Sequence, residues 1–145
     1  MTQHIFVNIA TADLDRAKAF YTSLGAELNP HFTDENAACI VWDENIQMMV
    51  LTKEHFATFT TKQIADTSTT AQVLIGLSRE SREAVDATAD AAVANGGTEH
   101  RDAQDYGFMY SRSIEDPDGT VLELIWMDPS AAEQGPEAFT EQAQA

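Results

Sequence analysis

The sequence predicts an α+β chain of two βαβββ modules. Three observations carry this: a strand followed by a helix occurs twice, a glycine closes each helix, and apolar runs between turn-forming clusters follow each closure. Ile5 to Ile9 is β-branched and aromatic and reads as the first strand. TADLDRAKAFYTSLG follows as a helix, with Thr11 or Asp13 as its cap, Leu14, Ala17, Tyr21 and Leu24 at helical spacing, and Gly25 as its stop. Ala26 to His31, Ala37 to Trp42 and Ile46 to Thr52 read as three short strands, the turns marked by DEN at Asp34 to Asn36 and at Asp43 to Asn45.

Residues 53 to 70, KEHFATFTTKQIADTSTT, have no clean period and read as a connector. The pattern then restarts. Gln72 to Leu77 is a strand, SRESREAVDATADAAVANGG a helix, and Thr98 to Gln104, Phe108 to Ile114 and Val121 to Met127 are three more strands. The expected organisation is one domain over 1–128, with module one at 1–52 and module two at 71–128. The polar, Gly- and Pro-containing tail 129–145 reads as disordered or loosely docked.

Acidic residues outnumber basic ones 24 to 8, giving a formal charge of −16. Such a surface repels phosphate backbones and anionic lipids, so neither nucleic acid nor membrane is an expected partner. No window approaches the roughly 18 apolar residues of a membrane span. The N-terminus lacks the basic start of a signal peptide, and a cytoplasmic protein is expected. Cys39 is the only cysteine, which excludes an internal disulfide and a thiolate cluster, and its apolar setting AACIVW reads as that of a buried, inert thiol. There is no phosphate loop, GxSxG elbow or HxxxH helix.

Two pieces, DLDRAKAFYTSLG after the first strand and EDPDGTVLELIW at the end, resemble the vicinal oxygen chelate superfamily, the glyoxalase, bleomycin-resistance and extradiol dioxygenase group. The resemblance covers roughly residues 4 to 128, and QDYGFMYSRSIEDPDG looks most like predicted bacterial lactoylglutathione lyases. It implies two modules whose sheets curl side by side into a cleft, and a homodimer. It also implies ligand positions on the first and last strand of each module, where metal-using members place His, Glu or Gln. Here these positions fall on Phe6, on Met48 or alternatively Val50, on Leu74, and on Glu123. Aryl and aliphatic groups cannot replace the water shell of a divalent ion, so no cofactor is expected and a metal is disfavoured. Ala10 stands where glyoxalases tend to carry a basic residue for glutathione.

Glu123, alone among the apolar residues of VLELIW, admits three explanations. Apolar neighbours such as Phe6, Leu74, Ile125 and Met127 would raise its pKa and make it a general base. It could instead anchor a small molecule in an apolar pocket, or form a structural pair with Arg101 or Arg112. The expected cleft contains Phe6, Asn8, Met48, Gln72, Leu74, Phe108, Tyr110 and Glu123, with Tyr106, Phe108 and Tyr110 alternating on one face. His4 reads as a strand end, and His31, His55 and His100 as surface residues. DPDG reads as a turn that aims the last strand and so places Glu123. The leading expectation is a metal-free protein binding a small apolar or aromatic ligand. A lyase, isomerase or dioxygenase using Glu123 is the second, and a scaffold with a closed cleft the third.

Overall fold

The computed structural model describes residues 1–135. Module one contains β1 (Ile5–Thr11), α1 (Leu14–Ser23), β2 (Glu27–Leu28), β3 (Ala37–Asp43) and β4 (Ile46–Thr52). A short helix, α2 (Lys53–Phe56), opens the connector. Module two contains β5 (Leu74–Ser78), α3 (Arg82–Ala94), β6 (Thr98–Asp105), β7 (Met109–Glu115) and β8 (Val121–Met127), followed by α4 (Pro129–Gln134). Each module makes a four-stranded mixed sheet, ordered β1-β4-β3-β2 and β5-β8-β7-β6, so β1 and β5 are terminal strands in their own sheets. The first strand of each module runs parallel to the last, and the other pairs are antiparallel.

Local chemistry explains the elements. Asp13 caps α1 by accepting from the Arg16 amide at 3.1 Å, and Ser81 caps α3 by accepting from the Ala84 amide at 3.0 Å, each satisfying an otherwise orphaned N–H. Alternate strand residues then turn to the helices. Ile9, Ile40, Met48 and Val50 from one sheet, and Leu77, Ile114, Leu122 and Leu124 from the other, join Phe20, Tyr21, Val85 and Ala89 in one core. The modules therefore share an interior on the helix side, and each sheet keeps an opposite, open face.

A seam of polar contacts fastens the modules. The Tyr21 hydroxyl donates to Asp116 at 2.7 Å, and Asp118 accepts from the Thr11 hydroxyl, from the Ala12 amide at 2.9 Å and from Arg16 at 3.2 Å. Burial pushes the Asp116 carboxyl up from its ordinary value, against the pull of the donors around it. The Tyr21 phenol is raised by burial and by the neighbouring Asp116. The DPDG turn thus joins the modules as well as aiming β8. On its other side the Thr67 hydroxyl donates to the Asp118 carbonyl. Gly119, at φ +95°, presses so close that an added Cβ would lie 2.3 Å from the Thr67 carbonyl oxygen.

Two expectations need correction, and the connector carries more structure than its sequence pattern shows. Ala26 to His31 is a strand only at Glu27–Leu28: Pro30 has no amide to give a ladder, Asn29 accepts from the His31 amide at 3.0 Å, and the chain enters a 3₁₀ turn at Pro30–Phe32. The connector is partly ordered by α2, by a 3₁₀ turn at Ala57–Phe59 and by the Thr67 contact. The tail begins with helix α4, capped by Asp128 and holding Ala131 in the interior. The rest of the tail, 136–145, lies outside the described residues. Among the described residues no helix is long and apolar enough to cross a membrane.

Candidate functional site

The open face of the first sheet is set by register. Phe6 pairs with Gln47 and Asn8 with Met49, while Cys39 lies across from Met49 on the other side of β4. By the two-residue period these side chains share one face. With Asn29, Phe32 and the segment Met1 to His4, the side chains of Phe6, Cys39, Gln47 and Met49 line a largely apolar cavity of about 720 Å³. Phe6 is 54% exposed, its ring centroid 6.4 Å from that of His4. His4 is thus a wall of the cavity, not merely a strand end. Cys39 is buried, which raises its thiol pKa, and its Sγ lies 3.8 Å from Gln47 Oε1.

The open face of the second sheet carries Glu123 in a transverse row. Gly76 and Ser113 flank it on the neighbouring strands, and Arg101 lies beyond Ser113. Arg101 donates from Nε to Ser113 Oγ at 3.3 Å, and its Nη2 stands 4.0 Å from Glu123 Oε1, whose side chain is 20% exposed. This is a loose ion pair at the limit of contact. The surroundings are less apolar than expected, since a glycine, a serine and a guanidinium are its cross-strand neighbours. Arg112 is no partner to Glu123, because it points to the helix side and binds Asp86, Asp90 and Glu99 at 3.2, 2.9 and 2.6 Å.

Several expected cleft residues lie elsewhere. Met48 is 1% exposed and faces the helices, where the Trp42 indole donates to its sulfur at 3.0 Å. The alternative, Val50, is also core. Ile9 and Val50 form a core pair equivalent to Leu77 and Leu124, so the true counterpart of Glu123 is Met49. A shift of one residue along a strand reverses the face. Tyr110 likewise faces the helices, donating to Asp86 at 2.7 Å beneath the Arg82 guanidinium. Phe108 lies in the turn before β7, its carbonyl accepting from the Asp128 amide at 2.7 Å and its ring 6.2 Å from that of Tyr106. The turn around Gly107, at φ +81°, breaks the alternation that placed Tyr106, Phe108 and Tyr110 on one face.

Leu74, 56% exposed, lies on the open face of the second sheet by its register with Val121. Asn8 and Gln72 meet at a second cavity of about 370 Å³ between β1, the connector and the DPDG turn. Residues that sequence reasoning missed are Phe32, Cys39, Gln47 and Met49 in the larger cavity and Ser113 beside Glu123. The pairing of Ile9 with Val50 would have revealed Gln47 and Met49, while no local signal marks Phe32.

The donor set does not fit a divalent ion of the superfamily's kind. Of Phe6, Met49, Leu74 and Glu123, only Glu123 offers a hard oxygen donor, and a guanidinium stands beside it. Among the described residues no three His, Cys, Asp or Glu side chains cluster as ligands would.

Residues 3–42 match the family described as bleomycin resistance protein-like N-terminal. The whole architecture is similar to that of a glyoxalase/bleomycin resistance protein/dioxygenase family enzyme from Burkholderia phytofirmans PsJN, with TM-score 0.71 and 21% identity over 87% of this chain and 99% of that one. A glyoxalase-related enzyme from Fulvimarina pelagi gives TM-score 0.70 at 18% identity, covering 87% and 88% of the two chains. A hypothetical protein from S. aureus gives 0.73 at 20%, covering 87% and 94%. None of the curated proteins compared with the chain matches it. Over these lengths and identities, what is shared is the arrangement of the two modules. The chain therefore has the fold of these glyoxalase/bleomycin-resistance/dioxygenase structures.

Proposed function

We propose that the protein binds a small apolar or aromatic molecule on the open face of module one, without a metal, in the manner of a bleomycin-resistance-like binding protein. The observation that carries this reading is the apolar cavity of about 720 Å³ over β1, β3 and β4, within the size range of small-molecule sites. Phe6, Phe32 and Met49 supply contact area, and His4 and Gln47 supply directional hydrogen bonds at its edge.

A second copy of the chain completes the site in this reading. β1 and β5 are terminal strands with no backbone hydrogen bond between them, and Ile5, Phe6, Val73 and Leu74 are exposed beside them. Unpaired apolar edges invite strand pairing. Joining β1 of one copy to β5 of the other would set the Phe6 and Met49 face beside the Leu74 and Glu123 face. Glu123 then serves as the polar anchor for a ligand hydroxyl or amine. The metal-dependent lyase or dioxygenase reading has Glu123 as its one matching donor and lacks the others.

Calorimetric titration with 2-naphthol tests the proposal. Binding by the wild type, weakened severalfold by Phe6→Ala and by Glu123→Gln, is expected. No binding, or binding indifferent to both substitutions, would contradict it.

A further inference from the structure

The cavity of about 370 Å³ at the seam is separate from the open-face site and does not depend on it. Its walls come from both modules and from the connector: Asn8 and Ala10 of β1, Lys53 and Phe56 of α2, the run from Ile64 to Val73 apart from Thr69, and Pro117 to Val121. The connector is held as a fixed wall, since the Thr67 hydroxyl binds the Asp118 carbonyl and Gly119 allows the two backbones to touch. A volume of this order suits a small organic molecule.

The polar groups around the cavity divide into those already used and those left over. The Asp66 carboxylate accepts from the Ser68 amide and hydroxyl, and Asp118 accepts from Thr11, Ala12 and Arg16. The Asp66 carboxyl is accordingly held below its usual range by its bonds to Ser68 and, to a lesser extent, by the charge of Lys53. Both acids are engaged in holding the fold. Among the described residues, by contrast, the Lys53 ammonium has no ion pair within 4.0 Å, and the amides of Asn8 and Gln72 make no side-chain hydrogen bond in the chain. Lys53, whose charge also acts on Asp66 without a close ion pair, and the two amides can therefore donate into the cavity, beside the apolar Ile64, Val73 and Val121.

We infer that this seam cavity is a binding site for a small amphipathic monocarboxylate. The ligand carboxylate takes Lys53 and an amide of Asn8 or Gln72, and its hydrocarbon body lies against Ile64, Val73 and Val121. Charge-assisted hydrogen bonds of this kind are the strong ones, and they favour an acid over its neutral analogue. With a net charge of −16, the chain has no long-range attraction for anions, so recognition must come from these local donors. A ligand here touches both modules and the connector, and would bind them together more tightly.

The full-length protein, ¹⁵N-labelled, is titrated with octanoate and separately with octanol while amide chemical shifts are followed. Octanoate should move the resonances of Lys53, of Ile64 to Val73 and of Gly119, with an affinity about tenfold or more above that of octanol, the scale of one hydrogen bond to a charged group. Lys53→Met should remove that preference and leave the rest of the spectrum unchanged. Asn8→Ala combined with Gln72→Ala should weaken octanoate and leave octanol unaffected. Absence of shifts in these segments, shifts confined to Cys39, Gln47 and Met49, or equal affinity for acid and alcohol would each overturn the assignment. The last two outcomes would still be compatible with the open-face reading, so the two proposals fail separately.

Discussion

Glu123 and Asp116 lie seven positions apart in sequence and behave in opposite ways. Glu123 has only the loose contact with half-exposed Arg101, and exposed or partly exposed pairs contribute about 0–1 kcal/mol. Glu123→Gln should therefore leave urea stability within about 1 kcal/mol of wild type, and any loss of ligand binding in that variant then reports on the ligand. Asp116 is buried and accepts from Tyr21, from the Asp118 amide and from the Thr120 amide. Tyr21→Phe removes one of these donors and should cost about 1–3 kcal/mol in urea unfolding. The pH dependence follows from the direction of the Asp116 shift. Burial raises its pKa above the ordinary 3.8, so near and above that pH the native state holds a proton that the unfolded chain has lost. Its contribution is greatest below 3.8 and declines as pH rises through the folded-state value. The advantage of wild type over Asp116→Asn should be larger at about pH 4 than at about pH 7. Asp105 works the other way: hydrogen bonding to Arg82 lowers it to about 2, so its contribution is present above 3.8 and is lost as pH falls toward 2.

At the scale of elements, the connector and the DPDG turn act as one fastening. Gly119→Ala would put a Cβ against the Thr67 carbonyl at a φ of +95° and should destabilise the fold by more than about 1 kcal/mol. Denaturant unfolding measures this, and a neutral effect would mean that the connector is not held against the turn. The order of elements was legible in the sequence because it depends on local signals: β-branched runs, cap residues and turn clusters. Ile46–Thr52 and Val121–Met127 are bounded in the structure as the sequence reading had them. What failed depends on exact register or distant contact. Spacing along the strands puts Met48 and Tyr110 on the open face, and a strand turns over with every residue. Ala26 to His31 looked extended, yet Pro30 ends the ladder. The Tyr21 to Asp116 bond spans 95 residues, and nothing near either residue announces the other. Of the open-face site, Phe6, Leu74 and Glu123 could be placed from the repeat, whereas Phe32 arrives from a loop whose path only the fold determines.

The whole molecule is a shared core with two outward sheet faces, an acidic surface and an exposed apolar strip at its terminal strands. If a second copy covers that strip, sedimentation should give a dimer, and Leu74→Lys should give a folded monomer by placing a charge on the paired edge. A monomeric wild type at all concentrations would leave the open-face cavity to act alone. The central claim concerns what the superfamily's ligand positions have become. In the proposed reading, Phe6, Met49 and Leu74 leave a cleft that would hold small molecules by apolar contact, with Glu123 as a polar group and not a metal ligand. The most direct test is calorimetric titration of chelator-stripped protein with nickel, zinc, iron(II) and manganese, alongside Glu123→Gln. The account predicts no stoichiometric binding in either protein. Tight one-to-one binding that disappears in Glu123→Gln would contradict it.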